Sequence, residues 1–272
     1  MSAEDDIGRA RNVEFIRSAQ PVLAAFARYF RPEVRGLDRL PPKGTPFLVV
    51  GNHSGGQSPP DLPILLTAWW RERGIDEPVY ALFHSMFIGL PLVGDAVSKA
   101  GGLEAGTNNA QAVLSRGGVV IVFPGGDHEV LRPWKDRFKI DFANRSGFIR
   151  LALRNRVPVV PVTSAGTHES VVVLARGERL AKLLRLDKLM RVKAYPLVVG
   201  PPWGIAPPGM PTIPLPAKVT VEVGEPLAWH ERYGPEAAED DEVVAKLYDE
   251  ITSGMQATMD RLVADRRWPI LG

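Results

Sequence analysis

The sequence predicts an α/β fold. It reads as a single domain with a central, mostly parallel or mixed β-sheet flanked by helices, plus an N-terminal helical segment. Three observations predict this. The strongest apolar runs, at 47–51 (FLVVG), 119–123 (VVIVF) and 157–162 (VPVVPV), are strand-length. Segments of helical period alternate with them, the pattern of a sheet covered by helices. No window offers the ~18 consecutive apolar residues that a membrane span needs.

The elements follow in order. Residues 12–30 place Val13, Ile16, Val22, Phe26 and Phe30 near one helical face. Two short helices are expected there, meeting at Pro21, because proline removes a backbone donor and its ring crowds the preceding turn. The strand at 47–51 runs into a glycine-rich loop, NHSGGQSPPD, and then a helix from 62 to 73. A strand is expected at 80–83, a helix at 108–115 and a buried strand at 119–123. Residues 146–155 read as a helix apolar on nearly every side, hence buried. The strand at 157–162 follows. Residues 180–191 read as a basic amphipathic helix. The stretch 196–216 is dense in Pro and Gly and is expected to be an irregular loop. KVTVEV at 218–223 alternates, as a half-exposed strand would. A long helix at 243–265 closes the chain. We divide the chain into an N-terminal amphipathic segment, 1–34, and an α/β domain, 35–272.

Composition excludes several classes. There is no Cys, hence no disulfide framework, thiolate metal site or cysteine nucleophile. Lys plus Arg is 33 against 31 Asp plus Glu, a net charge of +2 that does not suggest a nucleic-acid partner. The charge is uneven, however. Residues 7–39 and 176–193 are Arg- and Lys-rich, and an acidic stretch at 236–242 offsets them. The N-terminus has no apolar central region of a secretory signal. A cytoplasmic protein, peripheral to the inner face of a membrane through its basic segments, is the expectation.

Chemistry is expected at the carboxyl ends of strands, where open α/β sheets place ligands. Asn52 and His53 end the first such strand, and Ser54, Gly55 and Gly56 leave little bulk around the imidazole. Asp61 lies eight positions beyond His53. It can cap the helix it opens, or it can hold the imidazole as a tuned general base. The second strand ends in Phe123, Pro124, Gly125 and Gly126, followed by Asp127, His128, Glu129 and Arg132. Glu129 and Arg132 read as a structural ion pair or as part of a substrate site. The third strand leads to His168. Three strand ends thus deliver His53, His128 and His168, which with Asp61 would also suit a metal-dependent hydrolase. The wide spacing of these residues weakens that alternative. There is no G-x-S-x-G elbow, P-loop or dinucleotide-binding glycine motif.

Taken in order, strand–NHSGG–Asp, strand–FPGG and the strand VPVVPV resemble the glycerolipid acyltransferase superfamily. That group includes the 1-acylglycerol-3-phosphate acyltransferases and a diacylglycerol acyltransferase-like branch. The resemblance spans roughly residues 35–228. It implies that His53 is the general base and that a nearby Asp orients it. The family separates the two by four residues, which here selects Ser58, so Asp61 is the carboxylate assigned. The family's Phe-Pro-Glu-Gly is Phe123–Pro124–Gly125–Gly126 here, and Glu129 is the candidate for the missing carboxylate. The stretch 100–109 lacks the Arg with which the family grips an acceptor phosphate.

The resemblance implies an O-acyltransferase moving a fatty acyl group from an acyl thioester, on coenzyme A or a carrier protein, to a glycerolipid hydroxyl. Lysophosphatidate and mono- or diacylglycerol are the acceptor types. Catalysis is assigned to His53 and Asp61. Substrate contacts are assigned to Asn52, Ser54, Gly55, Gly56, Phe123, Pro124, Gly125, Gly126, Glu129 and Arg132. No metal or cofactor is expected. A non-catalytic lipid-binding module is the other alternative.

Overall fold

A computed structural model describes residues 10–53, 59–130, 132–175, 177, 197–206, 210, 212–268 and 270–271. Seven strands form the main sheet: β1 (Glu33–Arg35), β2 (Phe47–Gly51), β3 (Val79–Phe83), β4 (Gly102–Glu104), β5 (Val119–Val122), β6 (Val159–Ala165) and β10 (Thr220–Val223). Their order is β1-β10-β6-β2-β5-β3-β4. All neighbours run parallel except β10 with β6, which are antiparallel. A second, antiparallel sheet joins β7 (Val172–Ala175), β8 (Leu197–Gly200) and β9 (Gly204–Ala206).

The main sheet is covered on both faces, which explains why its central strands are apolar without alternation. Side chains of β2 still alternate, but each direction finds a core. Leu48 and Val50 join α5 (Thr107–Leu114), α7 (Gly147–Asn155) and α9 (Asp241–Ala264) through Val113, Ile149 and Leu247. Phe47 and Val49 point the other way, to Ala27 and Phe30 and to Ile64 and Trp69 of α2 (Asp61–Arg73). The Phe47 ring stacks on Trp69 at 5.9 Å. The helix α1 (Val13–Tyr29) thus shares the core of the sheet, and β1 adds to it as an edge strand.

Four sequence expectations need correction. Residues 13–29 form one helix, not two, and it runs through Pro21. Pro21 lies on the exposed side, so the carbonyl it leaves unpaired meets water, while Ile16 and Ala27, one in each half, are buried. Val22 is 71% exposed, because six residues beyond Ile16 is about 240° around a helix. The stretch 196–216 contains β8 and β9. Pro201 and Pro202 fall in the turn between them, and the preceding residues Leu197, Val198 and Val199 are strand formers. Finally, β10 is buried on both faces. Its alternation is real, but the polar face meets α9 rather than solvent: Glu222 receives Arg261 at 2.6 Å and Arg39 at 3.5 Å. The basic stretch 180–191 lies outside the described residues.

Candidate active site

The parallel strands β2, β3, β5 and β6 leave the sheet at one edge, and the site forms there. Backbone pairing puts Gly51 beside Val162 and Val50 beside Val122. The loops that follow these residues are therefore neighbours in space. Asn52 ties two of them: its side chain donates to the Ser164 carbonyl at 3.1 Å and accepts the Ser164 N–H at 2.7 Å. It is buried and fully engaged with backbone, a strut between β2 and β6.

His53 follows, with its side chain 21% exposed. Its Nδ1 lies 2.9 Å from Asp61 Oδ2. Asp61 opens α2 and is 1% exposed. Its other oxygen accepts the Leu62 N–H at 2.7 Å. Of the two sequence readings of Asp61, the structure shows the contact with the imidazole; the helix N-cap is Pro60, and Asp61 is the first helical residue rather than its cap. The positive end of the α2 dipole favours the carboxylate. An ionised carboxylate requires a proton on Nδ1, which leaves the Nε2 lone pair of a neutral imidazole for a substrate proton. The ring also stacks on Phe123, centroids 4.6 Å apart and 23° from parallel. Burial pulls the His53 pKa down. The charge and hydrogen bond of Asp61, with the charge of Glu129, outweigh it, so the net shift is upward from 6.5.

The strand β5 ends at the Phe123–Gly126 turn, which leads into α6 (Gly126–Val130). Arg145 clamps this turn: it donates to the Pro124 and Gly125 carbonyls at 3.3 and 3.0 Å and pairs with Asp127 at 2.6 Å. Nothing in the sequence separates Arg145 from the other arginines, since its partners lie 18 to 21 positions away. The Gly126 N–H donates to the Phe123 carbonyl at 3.1 Å, so it is not an open oxyanion donor. Glu129 is fully buried beneath His53. Its Oε2 accepts the His53 backbone N–H at 2.8 Å, and its Oε1 meets Arg132 at 3.2 Å. Arg132 is also buried and donates to the Asp141 carbonyl at 3.0 Å. Burial pushes the Glu129 carboxyl up to about 8, against the pull of Arg132 and His53. His168, after β6, lies 2.9 Å from the Glu129 carbonyl. A carbonyl only accepts, so Nε2 carries the proton. Burial pushes this imidazole down to about 4, so it is neutral near pH 7.

The structure therefore gathers Asn52, His53, Asp61, Phe123, Glu129, Arg132 and His168. Ser54, Gly55 and Gly56 lie outside the described residues. His128 stands apart and meets Asp141 at 3.3 Å. A fourth strand end also delivers a histidine, unremarked in the sequence: His84 caps the helix α3 (Ser85–Ile88) after β3. Among the described residues, no three His, Asp or Glu side chains are grouped so as to hold a metal ion. The hydrolase alternative thus lacks a ligand set there.

The chain is similar to several known proteins. Residues 31–165 match the Acyltransferase family model and contain the whole gathering except His168. An uncharacterized protein of Mycobacterium tuberculosis is 32% identical over 249 residues, covering 91% of this chain and 66% of that protein. One from Mycobacterium leprae is 33% identical over 242 residues, covering 89% of this chain and 63% of that one. The chain thus spans slightly less than two thirds of the length of these relatives. The solved structure of the 1-acyl-sn-glycerophosphate acyltransferase PlsC from Thermotoga maritima has the same fold. It matches with a TM-score of 0.53 at 20% identity over 93% of this chain and 83% of that one. With the family match over the site and the ordered strand-end motifs, residues 31–165 form an acyltransferase-family domain.

Proposed function

We propose that the protein transfers a fatty acyl group from an acyl thioester to a hydroxyl of a glycerolipid, of the lysophosphatidate or mono- or diacylglycerol type. One observation carries the reading: an imidazole at a strand end, aligned by a buried carboxylate at 2.9 Å, inside an acyltransferase-family domain. His53 Nε2 takes the acceptor hydroxyl proton as the oxygen attacks the thioester carbonyl. Asp61 stabilises the imidazolium that forms. The tetrahedral intermediate collapses with cleavage of the C–S bond, and the departing thiolate receives the proton from His53. The thiol is released and the ester formed, with no protein nucleophile and no cofactor. The donor is carried on coenzyme A or a carrier protein.

A positioned base is worth roughly 10²–10⁴-fold in rate. Thiol release from acyl-coenzyme A, measured against glycerol 3-phosphate, lysophosphatidate, monoacylglycerol and diacylglycerol, tests the reading. Acceptor-dependent release that His53→Ala lowers by about 10²-fold or more is the expected result. Release by His53→Ala at the wild-type rate would overturn it.

The same reading makes the enzyme peripheral to the inner face of a membrane. No helix among the described residues is long and apolar enough to cross one. Residues 85–94 carry no charge and leave β3 at the same edge as His53. They expose Met86, Phe87, Leu90, Leu92 and Val93, with Leu92 at 87%. Leu92 also holds φ at +66°, a costly conformation for a leucine. A bilayer contacting this segment would bring its lipid to the site. Among the N-terminal cations, Arg31 and Arg39 are held by contacts inside the protein, while Arg17 and Arg28 face solvent. Flotation with vesicles should fall when Leu92 and Met86 are both changed to Ser. Unchanged flotation of that variant would remove the segment from the reading.

A further inference from the structure

We propose that Glu129 is a positioning residue that fixes His53 from beneath, and that Gly125 is a glycine because this carboxylate occupies the place of a side chain there. The inference rests on His53 being the base, as in the preceding reading, but its geometric half stands alone.

The first observation concerns space. A Cβ built at Gly125 would lie 2.1 Å from Glu129 Cγ, 2.3 Å from its Cδ and 2.3 Å from its Oε2. Those distances are impossible for real atoms. Gly125 has no need of glycine for its dihedrals, since it is not among the glycines with positive φ. Its smallness serves Glu129 alone among its three nearest contacts. One turn of α6 returns the chain so that position 129 fills the volume vacated at 125. The carboxylate that the family motif carries at the third position of Phe-Pro-Glu-Gly is delivered here from four residues downstream.

The second observation concerns what that carboxylate touches. It is fully buried, and each of its oxygens has a protein partner. Oε2 accepts the backbone N–H of His53, not its ring, so it sets where the residue sits without taking the ring nitrogen that moves the proton. Oε1 is tied to Arg132, and Arg132 to the Asp141 carbonyl. His168 holds the Glu129 main chain from β6. The base is thus fixed twice: by Asp61 at its ring and by Glu129 at its backbone. A buried residue with both oxygens committed inside the protein supports the base rather than gripping the acceptor.

Two measurements test this. The first needs no activity: a double-mutant cycle on Tm over Gly125→Ala, Glu129→Ala and both. Gly125→Ala should destabilise the wild-type background and change the Glu129→Ala background little, because the clash needs the longer side chain. Equal effects in both backgrounds would overturn the spatial half. The second is steady-state kinetics on Glu129→Ala and Glu129→Gln, with circular dichroism confirming the fold. Glu129→Ala should lower kcat by about 10²-fold, the cost of a misplaced base, with both KM values little changed. Glu129→Gln keeps a carbonyl oxygen for the His53 N–H and should recover part of that loss. A raised acceptor KM at constant kcat would make Glu129 an acceptor ligand and overturn the proposal, as would wild-type kinetics. If the wild-type protein shows no acyl transfer, the reading of function fails while the Tm cycle still decides the packing.

Discussion

Two His–Asp pairs stand at the same edge of one sheet, and their surroundings differ. His53 and Asp61 lie 2.9 Å apart, and the carboxylate is 1% exposed. His128 and Asp141 lie 3.3 Å apart, with side chains 28% and 33% exposed. Asp61 divides its oxygens between the imidazole and a helix N-terminus. Asp141 also accepts the Ala143 N–H at 2.9 Å and approaches Lys139 at 3.8 Å. The His53 ring is stacked on Phe123 and its backbone is held by Glu129. The residue types are the same in both pairs. What differs is burial of the carboxylate and restraint of the ring, and on the proposed reading these make His53 the base, because a charge interaction gains strength where water is excluded.

Removing the orienting carboxylate should produce the largest separation after loss of His53 itself. Asp61→Asn removes the charge that stabilises the imidazolium and weakens the preference for a proton on Nδ1. We expect kcat/KM to fall by about 10²–10⁴-fold. The pH profile supplies a second readout. On the proposed mechanism the base is neutral His53, so wild-type kcat/KM should rise with pH through a pKa above the ordinary 6.5. Burial lowers that pKa, and Asp61, through its charge and hydrogen bond, raises it. Asp61→Asn should therefore shift the rising limb to lower pH while lowering the plateau. A limb that stays in place would show that Asp61 does not control this proton.

An intermediate effect is expected at Gly51, which lies under the stack. A Cβ there would come within 2.7 Å of the Phe123 ring. Gly51→Ala should push that ring off His53 and lower kcat roughly tenfold, less than loss of the carboxylate, since the ring can yield. Full activity in this variant would mean that the stack is packing without consequence for the base.

The readable parts of the molecule were those where one physical demand acts alone. β2, β5 and β6 are buried on both faces, so their composition announces them. The site edge follows from that, because parallel strands all deliver their loops to one side. His53 and Asp61 could be paired on paper because both border the same loop. What was not readable depended on distant partners. The polar face of β10 looked solvent-exposed until α9, some 40 residues on, covered Glu222 with Arg261. Arg145 belongs to the site only because the fold brings it to the Phe123–Gly126 turn. Glu129 and Arg132 were visible as a pair. That Glu129 faces the His53 backbone, however, depends on the packing of α6 beneath β2.

The smallest effect is predicted at His128, and it is the sharpest check on the comparison. His128 has the credentials that sequence can supply: a strand end, a glycine pair before it and an aspartate within reach. If those sufficed, His128→Ala would cost as much as His53→Ala. The structure gives its partner to other groups. Asp141 is shared with Ala143 and Lys139, and both side chains are partly solvated. Water screens such a pair to about 0–1 kcal/mol of net interaction, too little to fix an imidazole for proton transfer. His128→Ala should therefore leave kcat/KM within about fivefold of wild type, the factor that about 1 kcal/mol allows. Measured beside His53→Ala under one set of conditions, it isolates the contribution of surroundings from that of residue type. A loss at His128 approaching that at His53 would move the chemistry to the β5 edge and reverse the assignment.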